Sequence, residues 1–175
     1  MPSPSGGRSG WGWGHVKLAR WLVLSGSILV VDQVTKFLVL ENLMLHEVVR
    51  VTPFFNLVLV YNTGAAFSFL ANAGGWQKGL FIAIGVGASV WIVHLLRKHS
   101  NETLFCFALS LVLAGALGNL IDRLQFGAVV DFLDFHAFGW HWPAFNVADA
   151  AITCGAVLLI WDAFRPRKQR TAELS

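Results

Sequence analysis

The chain has 175 residues, enough for one domain, and is 55% hydrophobic with only 13% charged residues and a formal net charge of +3. A mean hydropathy of +0.60 excludes an ordinary soluble globular fold. The two cysteines, Cys106 and Cys154, share no CxxC or Cys/His spacing, so neither disulfide nor metal chemistry is indicated.

In chain order, residues 1–19 form a Gly/Ser-rich stretch read as a flexible tail. Four long apolar runs follow: Trp21–Leu40, Trp76–Leu96, Leu104–Ile121 and Val147–Phe164. Each approaches the ~20 apolar residues that a bilayer-spanning helix needs. The first is longer than a signal-peptide core, and no small-x-small cleavage site directly follows it, so it reads as a retained span. Between the first two spans, residues 41–75 contain Leu45–Thr52 and Phe55–Tyr61, rich in Val, Leu and Phe and interrupted by Pro53. These predict short strands forming a small sheet at the membrane surface, with "NTG" at 62–64 as a turn. The connection 122–146 carries Trp140 and Trp142, which suit the aromatic belt of a membrane interface. It is expected to be an interfacial loop or short helix. Residues 166–175 are a basic tail. The predicted fold class is therefore an all-α membrane protein of four transmembrane helices, filling residues 20–165, with a small extracytoplasmic β-sheet or cradle.

Charge placement orients the chain. Arg8, Lys17, Arg20, Arg97, Lys98, Arg165, Arg167, Lys168 and Arg170, nine of the 13 Lys and Arg residues, fall on one side of the spans. Basic residues near span ends are retained in the cytoplasm, which predicts that both termini are cytoplasmic. The pI near 9.2 then reflects attraction to anionic lipid, and no nucleic-acid partner is required.

Ionisable groups in spans are costly, so each needs a partner or a task. Here they gather at the outer ends: Asp32 and Lys36 four apart, Asn62 at the turn, Asn119, Asp122 and Arg123 closing the third span, Asn146 and Asp149 opening the fourth. The inner halves are almost purely apolar apart from His94, which argues against a solute pathway. Each group also has a structural explanation. Asp32/Lys36 could be an interfacial ion pair, Asn119 and Arg123 could satisfy helix C-terminal carbonyls, and "NVAD" at 146–149 reads as an N-cap followed by an acid at the third helical position. Asp134 reads as a solvated loop acid whose replacement by Asn should be tolerated, and His136 and His141 as interfacial groups. Asp131 is different: in "AVVDFLDF" it is flanked by Val129, Val130 and Phe132, where desolvation raises a carboxyl pKa. Two carboxylates at one depth can activate water without a nucleophilic side chain. The span serines Ser25, Ser27, Ser89 and Ser110 lack a His or Lys at suitable depth, so a serine mechanism is poorly supported.

Taken together, "DQVTK" (32–36), "YNTGAAFS" (61–68), "GALGNLIDRLQFGAVVDF" (115–132) and "FNVADA" (145–150) resemble the bacterial lipoprotein signal peptidases, signal peptidase II. Order, spacing and the four-span layout all match over roughly residues 20–165. The resemblance implies an intramembrane aspartyl endopeptidase of the inner membrane. It would remove the signal peptide of prolipoproteins on the amino side of the diacylglyceryl-bearing cysteine. It further implies Asp131 and Asp149 as the catalytic pair, with Asp32, Lys36, Asn62, Asn119, Asp122, Arg123 and Asn146 shaping the site or holding substrate. No metal or organic cofactor is implied, and a monomer in membrane lipid is the expectation.

Overall fold

A computed structural model describes residues 11–64 and 76–165. The terminal basic residues Arg8, Arg167, Lys168 and Arg170, and residues 65–68 of "YNTGAAFS", lie outside them. Four helices carry the apolar runs: α1 (Trp11–Asn42), α2 (Trp76–Lys98), α3 (Thr103–Gln125) and α4 (Val147–Phe164). All four are long and apolar enough to cross a membrane. Helix α1 begins at Trp11, inside the stretch expected to be a flexible tail. Residues 11–19 mix glycine with helix-compatible Trp, Leu, Ala and Lys, and continuity with a long apolar helix spares them the cost of nucleation.

Helix α3 is the hub. α1, α2 and α4 all pack along it, whereas α1 and α2 scarcely touch one another. Small residues set the α3–α4 approach. A Cβ on Gly115 would collide with the Ala148 carbonyl and the Ile152 side chain, and one on Gly155 would lie 2.8 Å from the Ala108 carbonyl oxygen. Membrane helices associate through such close contacts because lipid removes the hydrophobic drive between them. The α1–α3 seam adds a polar tie, with Ser25 Oγ bonded to both the Trp21 and Ser110 carbonyls at 3.0 Å. Ser89 and Ser110 likewise bond helix carbonyls, leaving the span serines in structural roles.

The sheet is antiparallel in the order β1 (Val48–Thr52), β2 (Phe55–Asn62), β3 (Val129–Ala137), β4 (Trp140–His141). The two short strands predicted at Leu45–Thr52 and Phe55–Tyr61 are present and pair antiparallel as the β1–β2 hairpin. The connection expected to be a loop or short helix is instead the β3–β4 hairpin, with β3 pairing along β2. Its alternation was masked because both faces of β3 are covered from Val129 to Phe132. Val130 and Phe132 pack with Leu59 and Val39, which seats the sheet on the C-terminal end of α1. Past the hairpin, Phe145 exchanges hydrogen bonds with Leu133 at 2.8 and 3.1 Å, so β3 is held on both edges. Gly127, with φ of 77°, ends α3 in the left-handed region and turns the chain back into β3. That reversal returns Asp131 toward the end of the helix bundle.

Candidate active site

Asp131 projects from β3 and Asp149 from the first turn of α4, and three asparagines join them. Asn146 caps α4, its Oδ1 accepting the Asp149 N–H at 2.8 Å, as the "NVAD" pattern predicts. Its Nδ2 donates to Asp131 Oδ1 at 2.7 Å. Asn62, at the end of β2, donates to Asp131 Oδ2 at 3.0 Å while its Oδ1 accepts the Gly64 N–H at 2.9 Å. Asn119, on α3, donates to Asp149 Oδ1 at 2.7 Å. Its Oδ1 faces Lys36 Nζ and Asn146 Nδ2, each at 3.4 Å. In each asparagine an independent donor holds the carbonyl end, so the NH2 end faces a carboxylate. Asp131 is buried and Asp149 half-buried. Burial, with the nearby Asp149 carboxylate adding to it, pushes the Asp131 carboxyl up to about 6; the Asn62 and Asn146 hydrogen bonds and the Lys36 charge oppose the rise.

Beneath this pair lies a second cluster, in which Asp32, Lys36 and Asp122 are fully buried and Gln33 is half-buried. Lys36 Nζ sits 2.9 Å from Asp32 Oδ2 and 2.7 Å from Asp122 Oδ2. Gln33 Nε2 donates to both acids at 3.1 Å. Asp32 Oδ1 also accepts the Ala148 N–H at 2.8 Å, and Asp122 Oδ2 accepts the Val130 N–H at 3.1 Å. These two backbone bonds fix the start of α4 and the start of β3, one residue from Asp149 and one from Asp131. Asp32/Lys36 is therefore not an interfacial pair exposed to water. It is the buried hub to which both acid-bearing segments are tied, with the α4 N-terminal dipole favouring the negative charge. Arg123 bonds the Asn119 carbonyl at 3.1 Å and lies 5.1 Å over the Phe81 ring, which satisfies the helix end as expected.

All nine residues singled out in the sequence thus fall in one connected region, at the ends of α1, β2 and α3 and the starts of β3 and α4. Two others escaped notice. Gln33 was visible in principle, as a polar residue in a span next to Asp32. Asn56 was not, because its importance depends on register: it pairs across β2–β3 with Asp134 and donates to Asp134 Oδ2 at 2.8 Å. Asp134 is itself buried, not a solvated loop acid, and also takes His141 Nδ1 at 2.9 Å. Burial opposes its ionisation, but the donors Asn56 and His141 outweigh it and hold the carboxyl below the usual range.

Comparison with known proteins agrees with this architecture. The model of the family described as signal peptidase (SPase) II matches residues 24–165. The chain belongs to the signal peptidase II family. It is 56% identical to a lipoprotein signal peptidase of Burkholderia thailandensis over 85% of this chain and 89% of that one. It is also 56% identical to one of Ralstonia nicotianae, covering 92% and 91%. Two solved bacterial membrane enzymes share the fold. One has a TM-score of 0.75 at 32% identity, covering 84% of this chain and 94% of the other; the second has 0.77 at 30%, covering 90% and 95%. Members of this family are membrane proteases, and the four apolar helices make this chain a multi-pass bacterial membrane protein.

Proposed function

We propose that the protein is an aspartyl endopeptidase that removes the signal peptide of diacylglyceryl-modified prolipoproteins, cutting on the amino side of the lipid-bearing cysteine. The observation that carries this reading is the convergence of Asp131 and Asp149, from separate elements, on Asn146 and Asn119. Both oxygens of Asp131 accept hydrogen bonds, which favours its carboxylate as the base. A value of about 6 leaves that base ionised at neutral pH yet strong enough to take a proton. The pair shares one proton, and in the reacting arrangement Asp149 holds it as the acid. Asp131 removes a proton from water as the water oxygen bonds to the scissile carbonyl carbon, and Asp149 donates its proton to the carbonyl oxygen. Collapse of the tetrahedral intermediate breaks the C–N bond. The proton held by Asp131 leaves with the cysteine amine, Asp149 takes back the proton of one of the two hydroxyls, and the signal peptide departs as the carboxylic acid.

The basic ends of the helices support an orientation with both termini cytoplasmic and the dyad near the outer face of the inner membrane. There the cleavage site of a signal peptide emerges from hydrocarbon and water is within reach. The β1–β2 hairpin and the turn that leads into it, apolar and exposed at Met44, Leu45, Val48, Val49 and Val51, act as a cradle over the bound peptide while the substrate's acyl chains remain in lipid.

The test is cleavage of a diacylglyceryl-modified precursor by purified protein in detergent. Asp131→Asn and Asp149→Asn should each abolish turnover without preventing folding. Equal cleavage of a precursor lacking the lipid would refute the substrate assignment, and full activity in either variant would refute the dyad.

A further inference from the structure

Away from the dyad, α1 and α2 diverge over α3 and leave a cleft of about 490 Å³. Leu22, Val90 and Val93 form its walls, and Leu113 and Leu117 of α3 its floor. His94 and Arg97 line the end nearest the α2–α3 connection. Both are exposed, and Arg97 has no carboxylate partner among the described residues, where the ion pairs are those of Lys36, His99 and His141. Ser89, which marks the deep end, spends its hydroxyl on the Gly85 carbonyl at 2.8 Å, so the interior offers little polarity.

Depth and charge together identify the occupant. Ser89 and Arg97 are eight residues apart, about 12 Å along a helix. That is close to one leaflet of a hydrocarbon core about 30 Å thick. The cleft therefore begins at one membrane surface and stops near the midplane, the reach of a single acyl chain. A spanning signal peptide would instead run the full thickness, and its own basic segment would meet Arg97 with like charge.

We propose that the cleft binds an anionic phospholipid of the cytoplasmic leaflet, its headgroup on Arg97 and one acyl chain along Leu22, Val90 and Leu117. The choice of leaflet rests on the orientation proposed above. The bound lipid fills the gap that α1 and α2 leave and props them apart at the cytoplasmic end, far from the catalytic pair.

Native mass spectrometry of the purified full-length protein, titrated with phosphatidylglycerol or phosphatidylcholine in detergent, tests this. The wild type should retain one phosphatidylglycerol in preference to phosphatidylcholine. Arg97→Gln should weaken phosphatidylglycerol about fivefold, the effect of one cation near a membrane surface, and Arg97→Lys should restore it. Val90→Trp, which fills the cleft from its lipid-facing wall, should abolish retention of either lipid. Precursor cleavage measured in the same preparations should be unchanged in all three variants, so loss of the lipid site and failure of the peptidase reading are told apart. Undiminished phosphatidylglycerol binding by both Arg97→Gln and Val90→Trp would overturn the proposal. So would displacement of the lipid by a diacylglyceryl-modified precursor, which would assign the cleft to substrate.

Discussion

Asn146 donates Nδ2 to Asp131 Oδ1 at 2.7 Å from a position where it is also the N-cap of the helix that carries Asp149. One side chain therefore aligns a strand residue with a helix residue, and its removal should cost in two ways. Asn146→Ala deletes the cap, about 1 kcal/mol, and strands buried polar groups for about 1–3 kcal/mol more. Asn146→Asp keeps the cap and sets a third carboxylate against Asp131. Thermal unfolding in detergent should show Asn146→Ala clearly destabilised. Asn146→Asp should move the acid limb of the pH–rate profile to higher pH, and an unmoved limb would detach Asn146 from the chemistry.

The Asp131 carboxyl links activity and stability to pH in opposite directions. Its folded-state value, up from 3.8 to about 6, exceeds that of the unfolded chain, so the folded state is favoured while the group is protonated. That contribution is complete below about pH 4 and is lost as pH rises through 6. Activity, which needs the ionised base, should rise over the same window. Asp131→Asn should be inactive, and relative to the wild type it should gain up to about 3 kcal/mol of stability between pH 4 and pH 8. This comes on top of a pH-independent loss of about 1–3 kcal/mol, because its amide donor faces Asn62 or Asn146. A stability difference between the two proteins that does not change from pH 4 to pH 8 would refute the burial of an ionisable group there.

Lys36 bridges two buried acids, Asp32 and Asp122, at 2.9 and 2.7 Å. Lys36→Met leaves both carboxylates without a cation, and such breaks cost about 3–5 kcal/mol. Adding Asp122→Asn removes one of the stranded charges and should recover part of the loss. If the double variant melts no higher than Lys36→Met, the cost lies in packing and not in charge.

Gly115→Ala should separate α3 from α4, because the added methyl meets the backbone carbonyl of Ala148, which cannot swing aside. Overpacking of this kind costs about 1–3 kcal/mol. It should also displace Asp149, one residue further on, from Asn119. Turnover should fall by more than the loss of folded protein accounts for, read as kcat per folded molecule. A variant of full kcat would show that α4 tolerates the shift.

Asp134→Asn separates structure from catalysis. Its carboxylate holds Asn56 and His141 and touches neither Asp131 nor Asp149 in the hydrogen-bond network. The substitution turns an amide donor toward Asn56, and the buried mismatch should lower the melting temperature by an amount equivalent to about 1–3 kcal/mol. kcat at a temperature where the variant is folded should be unchanged.

The four spans and their charge asymmetry were legible because lipid is an unforgiving solvent: about 20 apolar residues with basic ends have few other readings. The N-cap at Asn146 was equally local, being set by residues three apart. Asp131 stood out because a carboxylate among Val and Phe is costly wherever the chain goes. What the residues alone left open was pairing. Nothing local says that Asp134 lies opposite Asn56, that 129–137 is a strand, or that Asp32 anchors the backbone of Ala148, 116 positions away. Those facts depend on sheet register and on how closely glycines let α3 and α4 approach, and both are decided only when distant segments compete for the same space. The cost of burying each polar group is written in the chain, but which partner offsets it is a property of the assembled fold.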